Sequence, residues 1–342
     1  MTASVSYYTK PEEFEPKVAQ YVDVIGEKLG GKIVKFSDEW FAPAENLIKP
    51  SVPIRQIKFV PTGAWFDGWE TRRHNPEYDW VIIKLGVDSA TLVGCEVDTA
   101  HFTGNAAPAI SVEACYVENE AQLDKAQWEN VIPEHECLPN HRQFFLRDGE
   151  TQKAYSHVKL CMYPDGGIAR FRLYGKPVAV FPQDLNQEVD LAHVSNGGVA
   201  VSFSDQHFGT ANNLLLPGRG HDMSDGWETK RSRGKDHVDW VVIQLGAAGH
   251  VDRVCVDTAH YLGNFPQYIT LHGLKADKGE VPSHDDKRWK SIVPKSKTSA
   301  GQEHFFDQLD SSKDEVFTHV KFTMIPDGGV KRVRVFGRRA AN

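Results

Sequence analysis

The densest grouping of reactive side chains in this sequence is a short loop that occurs twice. DGWETRR presents Asp67, Glu70, Arg72 and Arg73, and DGWETKR presents Asp225, Glu228, Lys230 and Arg231. A guanidinium grips a carboxylate through two parallel hydrogen bonds, and a carboxylate accepts urea-type N–H donors. The mixture therefore suits a small, polar, zwitterion-like substrate. A second repeated block, DTAHFTGN and DTAHYLGN, places His101 with Asn105 and His260 with Asn264. Imidazole exchanges a proton near neutrality and asparagine can orient an amide. The plainer reading competes at every position: the charges pair with each other, Trp69 and Trp227 plug the core, and a lone histidine is commonly a hydrogen-bonded structural group. On that reading Asp98 and Asp257 cap a strand end, and Asp165 and Asp327 belong to PDGG turns. Arg170 and Arg172, matched by Arg332 and Arg334, read as the wet face of an outer strand.

Other chemistries leave no trace. HExxH motifs, zinc-spaced Cys/His clusters, Gly-rich phosphate loops, GxSxG elbows and dinucleotide fingerprints are all missing from the sequence. No cofactor is expected. EHEC at Glu134 and GHD at Gly220 hold ligand-capable residues without a partner at a recognisable interval. A metal site built from separate loops would escape such a search, so the metal ligands are unknown and a divalent ion stays open.

The elements that must position these residues are themselves duplicated. FSDEWFAPAENLIKP (36–50) returns as FSDQHFGTANNLLLP (203–217), and DWVIIKLG at Asp79 as DWVVIQLG at Asp239. SHVKLCMYPDGGIARFRLYG (156–175) returns as THVKFTMIPDGGVKRVRVFG (318–337). With the two loops above, five blocks recur in one order, and the changing offset between them falls in loops, where insertions cost little. The chain divides into a 1–19 extension, a first repeat at 20–176, a 177–186 linker and a second repeat at 187–338. Copy one carries extra residues ahead of its DGWET block, where copy two has GRGHDMS.

Short β-branched runs, period-two alternation and frequent turn signals predict an all-β protein of two tandem jelly-roll modules. HVKLCMY and IARFRLYG read as two strands around the PDGG turn, with Gly166 and Gly167 accepting positive φ. Residues 11–29 are the best helical candidate.

The chain has 342 residues and a formal charge of −7 with both signs interspersed, which gives no basic footprint for nucleic acid. No apolar run is long enough to span a membrane, and the N-terminus lacks the features of a signal peptide. Cys95, Cys115, Cys137, Cys161 and Cys255 form no CxxC pair, and three of them sit in apolar strand patterns. A reduced, cytoplasmic protein is expected.

From about Val22 to Arg338 the paired DGWET[RK]R, DW[VI][VI]I, DTAH[FY]xGN and PDGG[IV]xR blocks resemble those of the allantoicase family in both copies. The resemblance implies two modules of the galactose-binding-like kind. It also implies an amidine hydrolase that converts allantoate to ureidoglycolate and urea during purine-nitrogen recovery, working as a homo-oligomer. Allantoate carries one carboxylate and two ureido groups on a single carbon. Glu70 or Asp67 with His101 is expected to do acid–base work, and Arg72 or Arg73 to hold the carboxylate. Asp225, Glu228, Arg231 and His260 are the equivalents in copy two, with Asn105, Lys230 and Asn264 as further binding candidates. Two other readings compete: a sugar-binding module using Trp65, Trp69 and Trp227 as stacking platforms, and a purely architectural duplication.

Overall fold

The computed structural model describes residues 4–234 and 236–341, so residues 1–3 of the expected extension lie outside it. The chain falls into two compact units, Met1–Val178 and Ala179–Asn342.

The first unit is a sandwich of two five-stranded antiparallel sheets. One sheet orders Val5–Tyr8, Arg142–Arg147, Ala90–Asp98, Arg170–Pro177 and Val22–Asp23. The other orders Glu129–Glu136, Ala109–Cys115, His157–Tyr163, Asp79–Lys84 and Lys32–Phe36. Inward residues such as Val81, Ile83, Val97, Leu160, Phe171 and Leu173 are fully buried, as alternation along each strand requires. The second unit repeats this order around one long strand, Asp239–Asp257, which pairs in both layers and replaces the separate Asp79–Lys84 and Ala90–Asp98. The all-β, two-module architecture is as expected. Cys95, Cys115, Cys161 and Cys255 are free and buried in the strands.

Three local expectations are corrected. Among the described residues, α-helix forms only at Pro11–Val18, where Phe14 and Val18, one turn apart, press onto Val93 and Phe144 of the first sheet. Beyond it, Val22–Asp23 joins the sheet, Val24 and Ile25 are drawn fully into the core, and helix returns only as the 3-10 turn Glu27–Leu29, which Gly30 ends at φ 105°. The PDGG segment is not a hairpin turn, because the strands on either side belong to different sheets; it is a corner between layers. There Gly166 takes the positive φ, at 143°, whereas Gly167 is needed for space. A Cβ on Gly167 would lie 2.1 Å from the Phe102 ring.

The third correction concerns the strand arginines. Arg170 and Arg332 are each only 2% exposed, not on a wet face. Arg170 donates to the carbonyls of Ser51 and Asp67 and to the Asp67 carboxylate, and Arg332 does the same with Gly218 and Asp225. Arg172 and Arg334 reach the carbonyls of the 3-10 turns ahead of these loops. Buried guanidiniums thus hold the irregular loops against the sheet, using donors that many carbonyls can share.

Candidate active site

At one end of each module a two-residue strand, Trp69–Glu70 or Trp227–Glu228, pairs with the second half of the PDGG corner. Trp69 and Trp227 have no exposed surface, and their indole N–H groups donate to the carbonyls of Asp38 and Asp205 at 2.8 Å. Burial removes both from the sugar-platform reading and makes them the pegs that fix the adjacent glutamate.

Glu70 is brought together with Asn105. The Asn105 amide donates to Glu70 Oε1 at 2.7 Å, and Asn264 donates to Glu228 Oε1 at 2.6 Å. Burial pushes the Glu70 carboxyl above the usual range, outweighing the Asn105 hydrogen bond and the Arg73 charge that favour ionisation. Glu70 Oε2 has no hydrogen-bond partner among the described residues.

The basic residues differ between copies. Arg72 lies along Asp38, with Nε and a terminal nitrogen at 2.9 and 2.8 Å, and its guanidinium covers the Trp40 ring. Arg73 reaches Asp165 at a looser 3.4 Å and the Gly104 carbonyl at 3.1 Å. Lys230 and Arg231 are exposed, and their side chains have no ion-pair partner among the described residues. Asp165, expected as an ordinary turn residue, also accepts the Asn75 N–H, tying the PDGG corner to the DGWET loop. Asp38 and Asp205 went unremarked as site residues in the sequence. Their signal was available, since each is the third residue of a repeated FSD block.

Asp67 and Asp225 are committed elsewhere. Asp67 pairs with Arg170 at 2.8 Å and accepts the Ile54 N–H at 3.0 Å. Burial raises its carboxyl, but those two partners together hold it below the usual range. Asp225 pairs with both Lys331 and Arg332. Both aspartates anchor loops.

His101 and His260 share an uncommon backbone conformation, with φ 72° and 69°, at the left-handed positions that few residues adopt. Their Nε2 atoms face the carbonyls of Pro53 at 3.2 Å and Gly220 at 3.3 Å. A carbonyl can only accept, so Nε2 is the donor in this contact and Nδ1 is the nitrogen left to accept a proton. No hydrogen bond joins His101 to Glu70 among the described residues; the two meet only through the 101–105 loop. No group of three or more His, Cys, Asp or Glu side chains is placed to hold a metal ion among the described residues. No helix among them is long and apolar enough to cross a membrane.

The Allantoicase repeat family matches residues 22–178 and 189–340. The chain is 53% identical over 326 residues to the allantoicase of Neurospora crassa, covering 93% of this chain and 92% of that protein. It is 54% identical over 323 residues to the allantoicase of Saccharomyces cerevisiae, covering 92% and 93%. The crystal structure of the Saccharomyces cerevisiae allantoicase superposes with a TM-score of 0.85 at 51% identity, covering 98% of this chain and all of that one.

Proposed function

The chain belongs to the allantoicase family, and we propose that its reaction, hydrolysis of allantoate to ureidoglycolate and urea, is carried by the loop face of the first module. The observation that carries this choice is Glu70: a buried carboxyl, raised toward its protonated form, oriented by Asn105 on one oxygen and free on the other. Releasing urea breaks the bond between the central carbon and one ureido nitrogen. That nitrogen must receive a proton, and a water must add to the carbon while losing one. Glu70 supplies the first proton. His101, with Nδ1 as acceptor, takes the second. Arg73, more loosely held than Arg72, turns from Asp165 to the substrate carboxylate, and Asn105 helps order the ureido groups.

The second module keeps Glu228, Asn264 and His260 in the same relation, with the cations Lys230 and Arg231 beside them. It serves as a supporting copy. Purified protein incubated with allantoate, with and without a chelator, is expected to release urea and ureidoglycolate. Activity lost only with chelator would establish a metal requirement. Glu70→Gln is expected to abolish most turnover and Glu228→Gln to retain it. Near-normal turnover in folded Glu70→Gln protein rejects the assignment. Assembly into a homo-oligomer is part of the same proposal and is read by sedimentation.

A further inference from the structure

The two modules treat one buried aspartate in opposite ways. Asp98 and Asp257 end equivalent strands, and each accepts the backbone N–H two residues ahead, Ala100 or Ala259, at 2.8 Å. In the second module Arg219 then lies flat against Asp257, with Nε at 2.7 Å from one oxygen and a terminal nitrogen at 2.9 Å from the other. The residue matching Arg219 is fixed by its neighbours. Arg170 takes the carbonyl of Ser51 as Arg332 takes that of Gly218, and His101 meets that of Pro53 as His260 meets that of Gly220. Between them, Arg219 corresponds to Val52, which is 80% exposed.

Asp98 therefore has no guanidinium of its own. It is 4% exposed, and its Oδ2 has no hydrogen-bond partner among the described residues. The nearby cations are engaged: Arg142 grips both oxygens of Glu96 at 2.7 and 3.2 Å, and Arg170 is held by Asp67. Burial, opposed by the Ala100 N–H, raises the Asp98 carboxyl, with the Glu96 charge adding to the effect. A buried carboxylate with one oriented oxygen and one open oxygen is an unfinished recognition site.

We infer that Asp98 binds a ureido group of the substrate, and that the Arg219–Asp257 pair of the second module is an internal imitation of that contact. A ureido group and a guanidinium share a planar face with two parallel N–H donors, the shape a carboxylate accepts bidentately. The second module supplies the donor face from its own chain and closes the place. The first leaves the carboxylate without that donor face, just ahead of the positive-φ His101 turn. This inference rests on placing catalysis in the first module.

The test uses Asp98→Asn, whose amide oxygen still accepts the Ala100 N–H, and Val52→Arg, which adds the second module's arginine at an exposed position. Each is expected to raise KM for allantoate about tenfold or more, the effect of losing a charged hydrogen bond, with thermal stability retained. Arg219→Ala is expected to leave KM within about twofold, since that hydrogen bond to charge lies outside the reacting module. Wild-type KM in folded Asp98→Asn protein overturns the inference, as does an equal rise in Arg219→Ala. Glu70→Gln, assayed alongside, separates the two claims: full turnover there rejects the first module as the reacting one, whereas an unchanged KM in Asp98→Asn rejects only the ureido contact.

Discussion

The two modules keep one scaffold and differ in how they balance charge. Two cations of the second module, Arg219 and Lys331, stand where the first has Val52 and Ala169. Both neutralise buried aspartates, Asp257 and Asp225. The first module keeps Asp67 paired with Arg170 but leaves Asp98 without a cationic hydrogen-bond partner, and burial raises the Asp98 carboxyl. A site that must receive N–H donors benefits from a carboxylate whose second oxygen is not already taken by a cation, while a copy that only supports the fold benefits from pairing it. The exposed cations reverse the pattern. Arg72 and Arg73 are tied to Asp38 and Asp165, whereas Lys230 and Arg231 stand clear.

The largest contrast is expected in turnover. Glu70→Gln should lower kcat by about 10²–10⁴-fold, the usual worth of a positioned acid, and Glu228→Gln by far less; urea release at saturating allantoate measures both. A comparable loss in the two would make the modules equal partners.

Stability should separate the copies next. Arg170→Met leaves Asp67 buried without a cation and should cost about 3–5 kcal/mol in denaturant unfolding. Arg332→Met should cost less, because Lys331 still faces Asp225. Equal losses would show that the extra lysine contributes nothing.

A smaller effect is expected at the carboxylate. Arg73→Ala should raise KM about tenfold, in line with a lost charged hydrogen bond, with a smaller change for Arg231→Ala. The alkaline limb of the pH profile gives the finest test. Because the Glu70 carboxyl is raised and acts in its protonated form, kcat should fall as pH rises through its folded-state value. The same sign holds for folding: the stabilising contribution of the protonated group is complete below its unfolded value and is lost as pH rises through the folded one. Both dependences should vanish in Glu70→Gln, and a limb that survives there belongs to another group.

Much of this was legible in the sequence because it depends on local pattern or on repetition. Period-two alternation in the strands, the paired DGWET and DTAH blocks and their common order marked a duplicated all-β chain and located the loops that carry Glu70, His101 and Asn105. Local pattern failed where partners lie far apart in the chain. Arg170 looked like the outer face of a strand, but it is buried by a loop about 119 residues away. The PDGG segment looked like a hairpin turn, but its strands were drawn into separate layers. Asp67 and Glu70 were indistinguishable as acids three positions apart. Tertiary structure gave one an arginine and the other an asparagine.

Residue types and their twofold recurrence were thus determined by the sequence itself, since a repeat is a property of the string. The charge state of each acid was decided only in three dimensions, because it depends on burial and on which distant cation reaches it. Val52 and Arg219 occupy matching places in a shared scaffold, yet an exposed apolar side chain cannot neutralise Asp98 as the arginine neutralises Asp257. That difference became visible only when each loop was seated on its sheet.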